Sequence, residues 1–123
     1  MDIGAIDWNA VWAEELRQNH AVVGFRTGTA LWSDRGRAVR YDTQVSGRRV
    51  EETLSALPLV RAARVLDIGA GPGTLALPLA RRVRTVTAVE PASGMADVLE
   101  DHIDEEGIGN ISVVRTRWED VDP

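Results

Sequence analysis

Apolar and polar positions recur with a helical period in the first half of the chain. Apolar residues at every third or fourth position predict an amphipathic helix over residues 8–18, with Asp7 as its N-cap. Residues 19–32 hold glycines and threonines with little periodicity, and they predict a loop. A second helix is predicted over residues 46–57, where Pro58 would end it.

In the second half, short apolar or β-branched runs alternate with helical patterns. The runs predict three strands, at residues 64–68, 85–90 and 111–115, with helices over 75–80 and from Ala92 or Ser93 to Gly107. Strands separated by helices form parallel βαβ units, and two right-handed crossovers give the spatial order 3-2-1. The sequence therefore predicts an α/β domain in residues 63–123, preceded by helices in residues 1–62 that act as a lid or as packing helices.

The pattern is most informative where the first predicted strand meets a turn with glycines at alternate positions, Gly69, Gly71 and Gly73. A strand, a glycine turn and a helix together bring bare backbone against a nucleotide-like ligand. The spacing is GxGxG, and Thr74 stands where a dinucleotide-binding turn has its third glycine. The glycines alone therefore indicate a nucleotide-like ligand without identifying it.

Two carboxylates bear on the identity of that ligand. Asp67 lies two residues before Gly69, and its charge would repel a diphosphate by several kcal/mol in a cleft of low dielectric constant. S-adenosylmethionine (SAM) carries a sulfonium and an ammonium and no phosphate, so Asp67 favours SAM over NAD. Glu90 follows Asp67 by 23 residues, close to the offset of about 20 at which an acid reaches ribose hydroxyls. That position suits either ligand, since both carry an unphosphorylated ribose.

The run Asp67-Ile68-Gly69-Ala70-Gly71-Pro72-Gly73, followed by Val89-Glu90-Pro91 and Gly94-Met95, resembles the motifs of class I SAM-dependent methyltransferases. The resemblance covers about residues 63–121. It implies a Rossmann-like three-layer sandwich with a sheet of about seven strands, methyltransferase activity and SAM as cofactor. By resemblance, Asp67 orders the amino group of SAM and Glu90 holds its ribose. The cofactor-binding residues that it implies in this region are Asp67, Gly69, Ala70, Gly71, Gly73, Glu90, Pro91 and Met95.

Residues 32–42 are similar to the W-D-x-x-A-x-x-Y-D stretch that precedes the core of many small-molecule methyltransferases. By this resemblance, Tyr41 or Arg37 would reach the methionyl carboxylate of the cofactor. His102 falls on the apolar face of the helix before Gly107, and we expect it to be packed rather than to act as a base.

The loop after the third strand borders the adenine ring in the family, where an acid accepts a hydrogen bond from the exocyclic amine. Arg117 stands at that position here, so the resemblance leaves Glu119 or Asp120 for this contact and Trp118 as the apolar wall beside the ring.

Charge and composition restrict the partners that we expect. All fourteen basic residues are arginine, and the net charge of −5 arises in residues 63–123, which carry six arginines and eleven acids. Such a surface attracts phosphate backbones poorly, so we expect a small-molecule or protein methyl acceptor and consider nucleic acid unlikely. There is no cysteine, no apolar run of membrane-spanning length and no metal-ligand spacing. A cytoplasmic protein with no membrane partner is the expectation.

Against the seven strands that the resemblance implies, this chain supplies three, and we expect a truncated domain whose catalytic, acceptor-side residues would follow Pro123. The strand at residues 64–68 would then be a free sheet edge, through which homo-oligomers could form. The leading hypothesis is the cofactor-binding portion of a SAM-dependent methyltransferase. The alternatives are a non-catalytic SAM-binding or assembly module and an NAD(P)-dependent oxidoreductase, which Asp67 and Thr74 disfavour.

Overall fold

A parallel sheet lies at the centre of the computed structural model, which describes residues 7–23 and 28–122. Its strands are β1 (Arg64–Ile68), β2 (Thr85–Val89) and β3 (Ile111–Val114), in the spatial order β1-β2-β3. Both pairings are parallel. The α/β class and the predicted order 3-2-1 are confirmed, and the three strands lie within one or two residues of their predicted bounds.

Helices precede the sheet and connect its strands. In chain order they are α1 (Trp8–Val23), α2 (Gly28–Trp32), α3 (Arg35–Gln44), α4 (Gly47–Ala56), α5 (Ala76–Ala80) and α6 (Ser93–Glu106), and a short 3-10 turn follows β3 at Trp118–Asp120. Asp7 caps α1 as predicted, because its Oδ1 accepts hydrogen bonds from the backbone N–H groups of Asn9 and Ala10, both at 3.1 Å. None of the helices in the described ranges has the length and apolar character that crossing a membrane requires.

The predicted loop over residues 19–32 is wrong where the structure describes it. Helix α1 continues to Val23 and α2 begins at Gly28, while residues 24–27 lie outside the described ranges. The side chains of α1 that the structure describes are exposed, and contacts within the helix, such as Arg17 to Glu14 at 2.6 Å, support it. The apolar period that predicted α1 ends at about residue 18, so the sequence pattern did not indicate that the helix continues to Val23.

The apolar core lies around β2 and includes residues from both halves of the chain. Val86 and Ala88 of β2 are buried against Leu99 of α6 and Leu79 of α5. Leu54 of α4, only 2% exposed, belongs to the same cluster. Helix α4 therefore contributes to the core around the sheet.

Pro78 lies in the first turn of α5 and does not loosen the start of the helix. The N-cap is Leu75, whose carbonyl accepts the N–H of Leu79 at 2.9 Å. Pro78 thus occupies the first turn, where a backbone N–H has no partner within the helix. The missing N–H of proline removes no hydrogen bond from α5.

Gly94 allows the turn between α2 and α3 to lie directly on the start of α6. A Cβ at Gly94 would come within 2.7 Å of the carbonyl oxygen of Trp32 and 2.8 Å of that of Ser33. Both atoms belong to the backbone and have little freedom to move. Below this contact Ala38 of α3, fully buried, packs in one cluster with Met95 of α6. The absent side chain at Gly94 thus sets how closely α2 and α3 approach the sheet.

Candidate functional site

The glycine turn, residues 69–73, follows β1 with three residues in a conformation that L-residues rarely adopt. The φ angles are 74° at Gly69, 59° at Gly71 and 94° at Gly73. A Cβ at Gly69 or Gly71 would meet no atom within 4 Å, so their backbone faces open space. A Cβ at Gly73 would lie 2.5 Å from Leu99 and 2.8 Å from Leu77. The first two glycines therefore leave room for a ligand, whereas the third packs the turn onto the helices.

Glu90, at the end of β2, is 7% exposed and holds the glycine turn in place. Its Oε2 accepts the N–H of Gly71 at 2.8 Å, and its Oε1 accepts the N–H of Ala92 at 2.9 Å. Each carboxylate oxygen has a second lone pair, so both can still accept a ligand hydroxyl. The residue therefore has a structural task in addition to the ribose contact that the sequence predicts, and that contact stays a prediction.

Two buried side-chain oxygens lack a hydrogen-bond partner in the described part of the chain: Oδ2 of Asp67 and Oγ1 of Thr74. Burial, and secondarily the charge of Glu90, raises the pKa of Asp67 above its ordinary value of 3.8. Both residues line one cavity of about 200 Å³ above the glycine turn. Because buried polar atoms are nearly always paired, this cavity fits a ligand that hydrogen-bonds to both side chains.

A second cavity of about 210 Å³ lies on the Glu90 side of the turn, and Tyr41 lines it as well as the first. We call the two together the cleft. Trp32 and Met95 provide apolar walls on the Glu90 side. The ring of Trp32 meets that of Tyr41 edge to face, with centroids 5.3 Å apart. The cleft thus has a polar floor of backbone and carboxylates and an aromatic cover from α2 and α3.

A third cavity of about 470 Å³ adjoins the Asp67 side of the cleft and shares Tyr41, Thr74 and Leu75 with it. Arg49 of α4 lines this third cavity, which we call the Arg49 cavity. Arg48, which precedes Arg49 in the chain, pairs with Glu52 at 2.9 Å. Arg49 itself forms no ion pair with any acid of the described residues. The Arg49 cavity therefore offers a positive charge beside the cleft, where Asp67 and Glu90 supply only negative ones.

The structure brings most of the predicted site residues to the cleft. Those that line it are Tyr41, Asp67, Gly69, Ala70, Gly71, Glu90 and Met95. Gly73, at the end of the turn, packs against helices and does not line the cleft. Pro91 follows β2, is half-buried and does not line the cleft either. Trp118 and Glu119 do not line the cleft. Trp118 is 49% exposed, and Glu119 pairs with Arg117 at 3.0 Å. Arg37 is exposed and also stays outside the cleft.

Sequence reasoning missed Trp32, Thr74 and Arg49 as candidate site residues. Trp32 belongs to the stretch whose resemblance pointed to Tyr41, and Thr74 directly follows the glycine turn, so both had a detectable signal. Arg49 lies in the charged sequence of α4, and only the fold distinguishes it from Arg48. His102 is packed as expected: its Nε2 lies 2.7 Å from Oδ2 of Asp42 on α3.

The fold and the cleft agree with comparisons to known proteins. The family described as "Methyltransferase domain" matches residues 65–123. The resemblance of this region to class I SAM-dependent methyltransferases, which the motifs of the sequence indicated, is thereby confirmed.

Among curated relatives, the 23S rRNA (uracil(1939)-C(5))-methyltransferase RlmD of Aeromonas hydrophila is 34% identical over 97 residues, 79% of this chain and 22% of the relative. The ubiquinone biosynthesis O-methyltransferase of Azorhizobium caulinodans is 43% identical over 49 residues, 40% of this chain and 19% of the relative. The crystal structure of the 23S rRNA methyltransferase ErmE superposes with a TM-score of 0.56 at 28% identity, over 64% of this chain and 32% of ErmE. The chain spans about a fifth of the length of the two curated relatives.

The expectation that nucleic acid is an unlikely partner is wrong, because the relatives include methyltransferases of 23S rRNA. The expectation rested on net charge, which sums groups that neutralise one another locally. Arg115, for example, contacts Asp97 at 2.7 Å and Glu100 at 2.6 Å. The charge of a cofactor-binding region also says little about an acceptor surface elsewhere in a protein, since each surface creates its own local field.

Proposed function

We propose that this chain binds SAM in the cleft and forms the cofactor-binding part of a SAM-dependent methyltransferase. The observation that carries the proposal is the unpartnered Oδ2 of Asp67, buried beside the bare backbone of Gly69 and Gly71. A cationic hydrogen-bond donor compensates this buried charge, whereas the phosphates of a dinucleotide would add to the repulsion between Asp67 and Glu90. The match of residues 65–123 to a methyltransferase domain family supports the same ligand.

The residues of the cleft fit the distinct groups of SAM. Asp67 accepts from the ammonium group, and the hydroxyl of Thr74 finds the hydrogen-bond partner that it lacks. Glu90 has free lone pairs for ribose hydroxyls while it holds Gly71. The side chain of Met95, which is 5% exposed, offers the purine an apolar surface next to Glu90.

Arg49 is the proposed partner of the methionyl carboxylate. Asp67 repels that group while it attracts the ammonium on the same carbon, so the carboxylate turns away from Asp67. The adjoining Arg49 cavity supplies a guanidinium that has no acidic partner among the described residues. Arginine suits a carboxylate because its planar fork donates two parallel hydrogen bonds. This assignment takes the place of Arg37, which lies outside the cavities.

When bound, the cofactor supplies an electrophilic methyl group on its sulfonium sulfur. The contribution of this chain is to bind and orient, since methyl transfer gains most from positioning and from exclusion of water. Asp67 and Thr74 fix one end of the cleft and Glu90 the other, while Tyr41 and Trp32 cover it.

Calorimetric titration with SAM, S-adenosylhomocysteine and NAD tests the proposal. We expect both adenosyl thioether ligands to bind and NAD to give no heat of binding. Binding of NAD together with failure of both other ligands would refute the assignment. Methyl transfer from labelled SAM to 23S rRNA or to an oxygen acceptor of ubiquinone biosynthesis, the acceptors that the names of the relatives suggest, separates an enzyme from a non-catalytic binder.

Methylthioadenosine, which lacks the amino acid end, separates the roles of the individual residues. Arg49→Gln should weaken S-adenosylhomocysteine binding about three- to tenfold and leave methylthioadenosine binding unchanged. Arg48→Gln is the matched control, because Arg48 is its neighbour on the same helix and pairs away from the cavity. Equal losses for both ligands would contradict the carboxylate assignment.

A further inference from the structure

Helix α3 is tied to α6 by a partly buried contact between Asp42 and His102. The imidazole Nε2 lies 2.7 Å from the carboxylate Oδ2, and both side chains are about a quarter to a third exposed, at 31% for His102 and 26% for Asp42. Arg35 and Asp101 form a second ion pair between the same two helices. Tyr41, which lines both cavities of the cleft, directly precedes Asp42. The position of α3 on α6 therefore decides where Tyr41 lies.

The groups that face His102 are acidic on both helices. Asp42 faces it from α3, and Glu105 and Glu106 face it from α6, with Glu105 at 3.9 Å. The cavity of about 270 Å³ beside His102 is also lined by Leu77 and Pro78 of α5 and by Gly47 and Val50 of α4, none of which brings a charge. The hydrogen bond to Asp42, and then these negative charges, raise the pKa of His102 above 6.5 despite its partial burial.

We propose that His102 is a positioning residue for the cleft, and that its protonated form holds Asp42 and thereby Tyr41 over the bound cofactor. Loss of that proton weakens the contact, because a charge-assisted hydrogen bond is roughly twice as strong as a neutral one. Helix α3 then docks less tightly, and the cofactor is released more readily. This inference rests on the proposed function and adds to it a dependence of cofactor affinity on pH.

The sign of the effect follows from the raised pKa of His102. A raised pKa in the docked state contributes stability that is fully present below pH 6.5 and is lost as the pH rises through the raised value. If the cofactor selects the docked state, its binding is coupled to proton uptake by His102. Affinity changes by up to about tenfold for each unit by which the pKa of His102 differs between docked and loosened α3.

The test is titration calorimetry with S-adenosylhomocysteine from pH 6 to pH 9, in buffers of different ionisation enthalpy, on the wild-type chain and on His102→Gln. Glutamine keeps a hydrogen bond to Asp42 but does not titrate. The amino group of the ligand titrates in both proteins, so it cancels in their difference. We expect the wild type to lose several-fold more affinity across this range than His102→Gln, and to take up more protons on binding.

Two further variants separate this role from plain structural support. Asp42→Asn should flatten the pH profile as His102→Gln does. Arg35→Gln breaks an ion pair between the same helices whose guanidinium keeps its charge from pH 6 to pH 9, and it should lower the affinity equally at every pH. Binding with the same pH profile in wild type and His102→Gln would overturn the inference and leave the proposed function intact. Absence of binding at any pH would overturn both.

Discussion

At the scale of single residues, Asp67 and Thr74 each bury a side-chain oxygen that has no hydrogen-bond partner among the described residues. An unpartnered buried carboxylate destabilises a ligand-free protein, and such groups persist where they bind something. Glu90 shows the opposite arrangement, with both carboxylate oxygens engaged by backbone N–H groups. The two acids of the cleft therefore differ: Glu90 supports the glycine turn, whereas Asp67 has a buried oxygen without a partner among the described residues, which the proposed ligand would engage.

Asp67→Asn should raise the stability of the ligand-free chain by about 1 kcal/mol at neutral pH, because it removes a buried charge that lies close to Glu90. The same change should weaken S-adenosylhomocysteine binding about ten- to a hundredfold, through loss of a charged hydrogen bond. Thermal unfolding and calorimetry measure the two effects. Asp122→Asn, at an exposed acid near the end of the described chain, serves as the control and should change neither.

The pH dependence of this stabilisation gives a second check. Because the pKa of Asp67 is raised in the fold, its protonation contributes stability below pH 3.8, and this contribution is lost as the pH rises through the raised value. The stability difference between Asp67→Asn and wild type should therefore shrink toward zero as the pH falls. A difference that stays constant between pH 3 and pH 7 would show that Asp67 is not the group responsible.

The glycines of the turn should separate stability from binding. Gly69→Ala should cost about 1–2 kcal/mol for its positive φ and also reduce ligand binding, because its Cβ would project into open space beside the cleft. Gly73→Ala should cost about 1–3 kcal/mol more than Gly69→Ala, since its Cβ would also overlap Leu99 and Leu77. Denaturant unfolding of the two variants measures the difference. Equal losses would mean that the contact with the helices is readily relieved.

At the scale of secondary-structure elements, the approach of α2 and α3 to α6 places the aromatic cover of the cleft. The contact depends on Gly94 and on the small side chain of Ala38, so the helices approach closely through residues that present almost no bulk. Trp32 and Tyr41 then reach the cleft from α2 and α3. A substitution at this contact should therefore alter the cleft, although the substituted residue itself contacts no ligand.

Gly94→Ala should destabilise the chain by about 1–3 kcal/mol, because its Cβ would overlap backbone atoms of Trp32 and Ser33. It should also weaken cofactor binding by displacing α2 and α3. Gly36→Ala is the matched control within α3: its Cβ would meet only ordinary contacts, the nearest at 3.4 Å, and it should stabilise the helix by about 0.5–1 kcal/mol. Urea unfolding and titration of both variants check this. Full affinity in Gly94→Ala would contradict the role of the contact.

At the scale of the whole molecule, burial falls from β2 outward. Val86 and Val89 of the central strand are 1% exposed, whereas Val11 and Trp12 of α1 are 49% and 66% exposed. At the outer side of β1, which pairs only with β2 among the described residues, Leu66 and Ile68 are about half exposed. Local stability should follow the same gradient, since segments with few buried contacts open first.

Amide hydrogen exchange should therefore be slowest in β2 and fastest in α1, with α3 between them. Addition of saturating S-adenosylhomocysteine should slow exchange most in the glycine turn and in α3, because the ligand holds both sides of the cleft together. Mass spectrometry of peptides from the exchanged protein resolves these segments. Protection of α1 equal to that of β2, or a ligand effect confined to β3, would contradict this picture.

The sequence predicted those parts of the molecule in which the local sequence pattern favours the same structure that packing in the fold requires. The strands and α6 have strongly periodic apolar positions, and Gly107 marks the end of α6. The glycine turn is recognisable from the spacing of its glycines. Trp32 and Thr74 required the fold to bring them over the same cavity, although both lie next to residues that attracted attention. The position of Arg49 beside the cleft and the Asp42–His102 contact depend on how segments distant in sequence pack together. No local sequence pattern contains that information.

The double engagement of Glu90 has a consequence for any attempt to change the ligand preference of this cleft. Replacement of the acid at the end of the second strand by a basic or neutral residue is the obvious route toward a 2′-phosphorylated nucleotide. Here the same substitution would release Gly71 and Ala92 from their acceptor and let the turn collapse. Evolution or design toward such a nucleotide would first have to supply a new anchor for the turn, so the scaffold itself opposes that change of ligand.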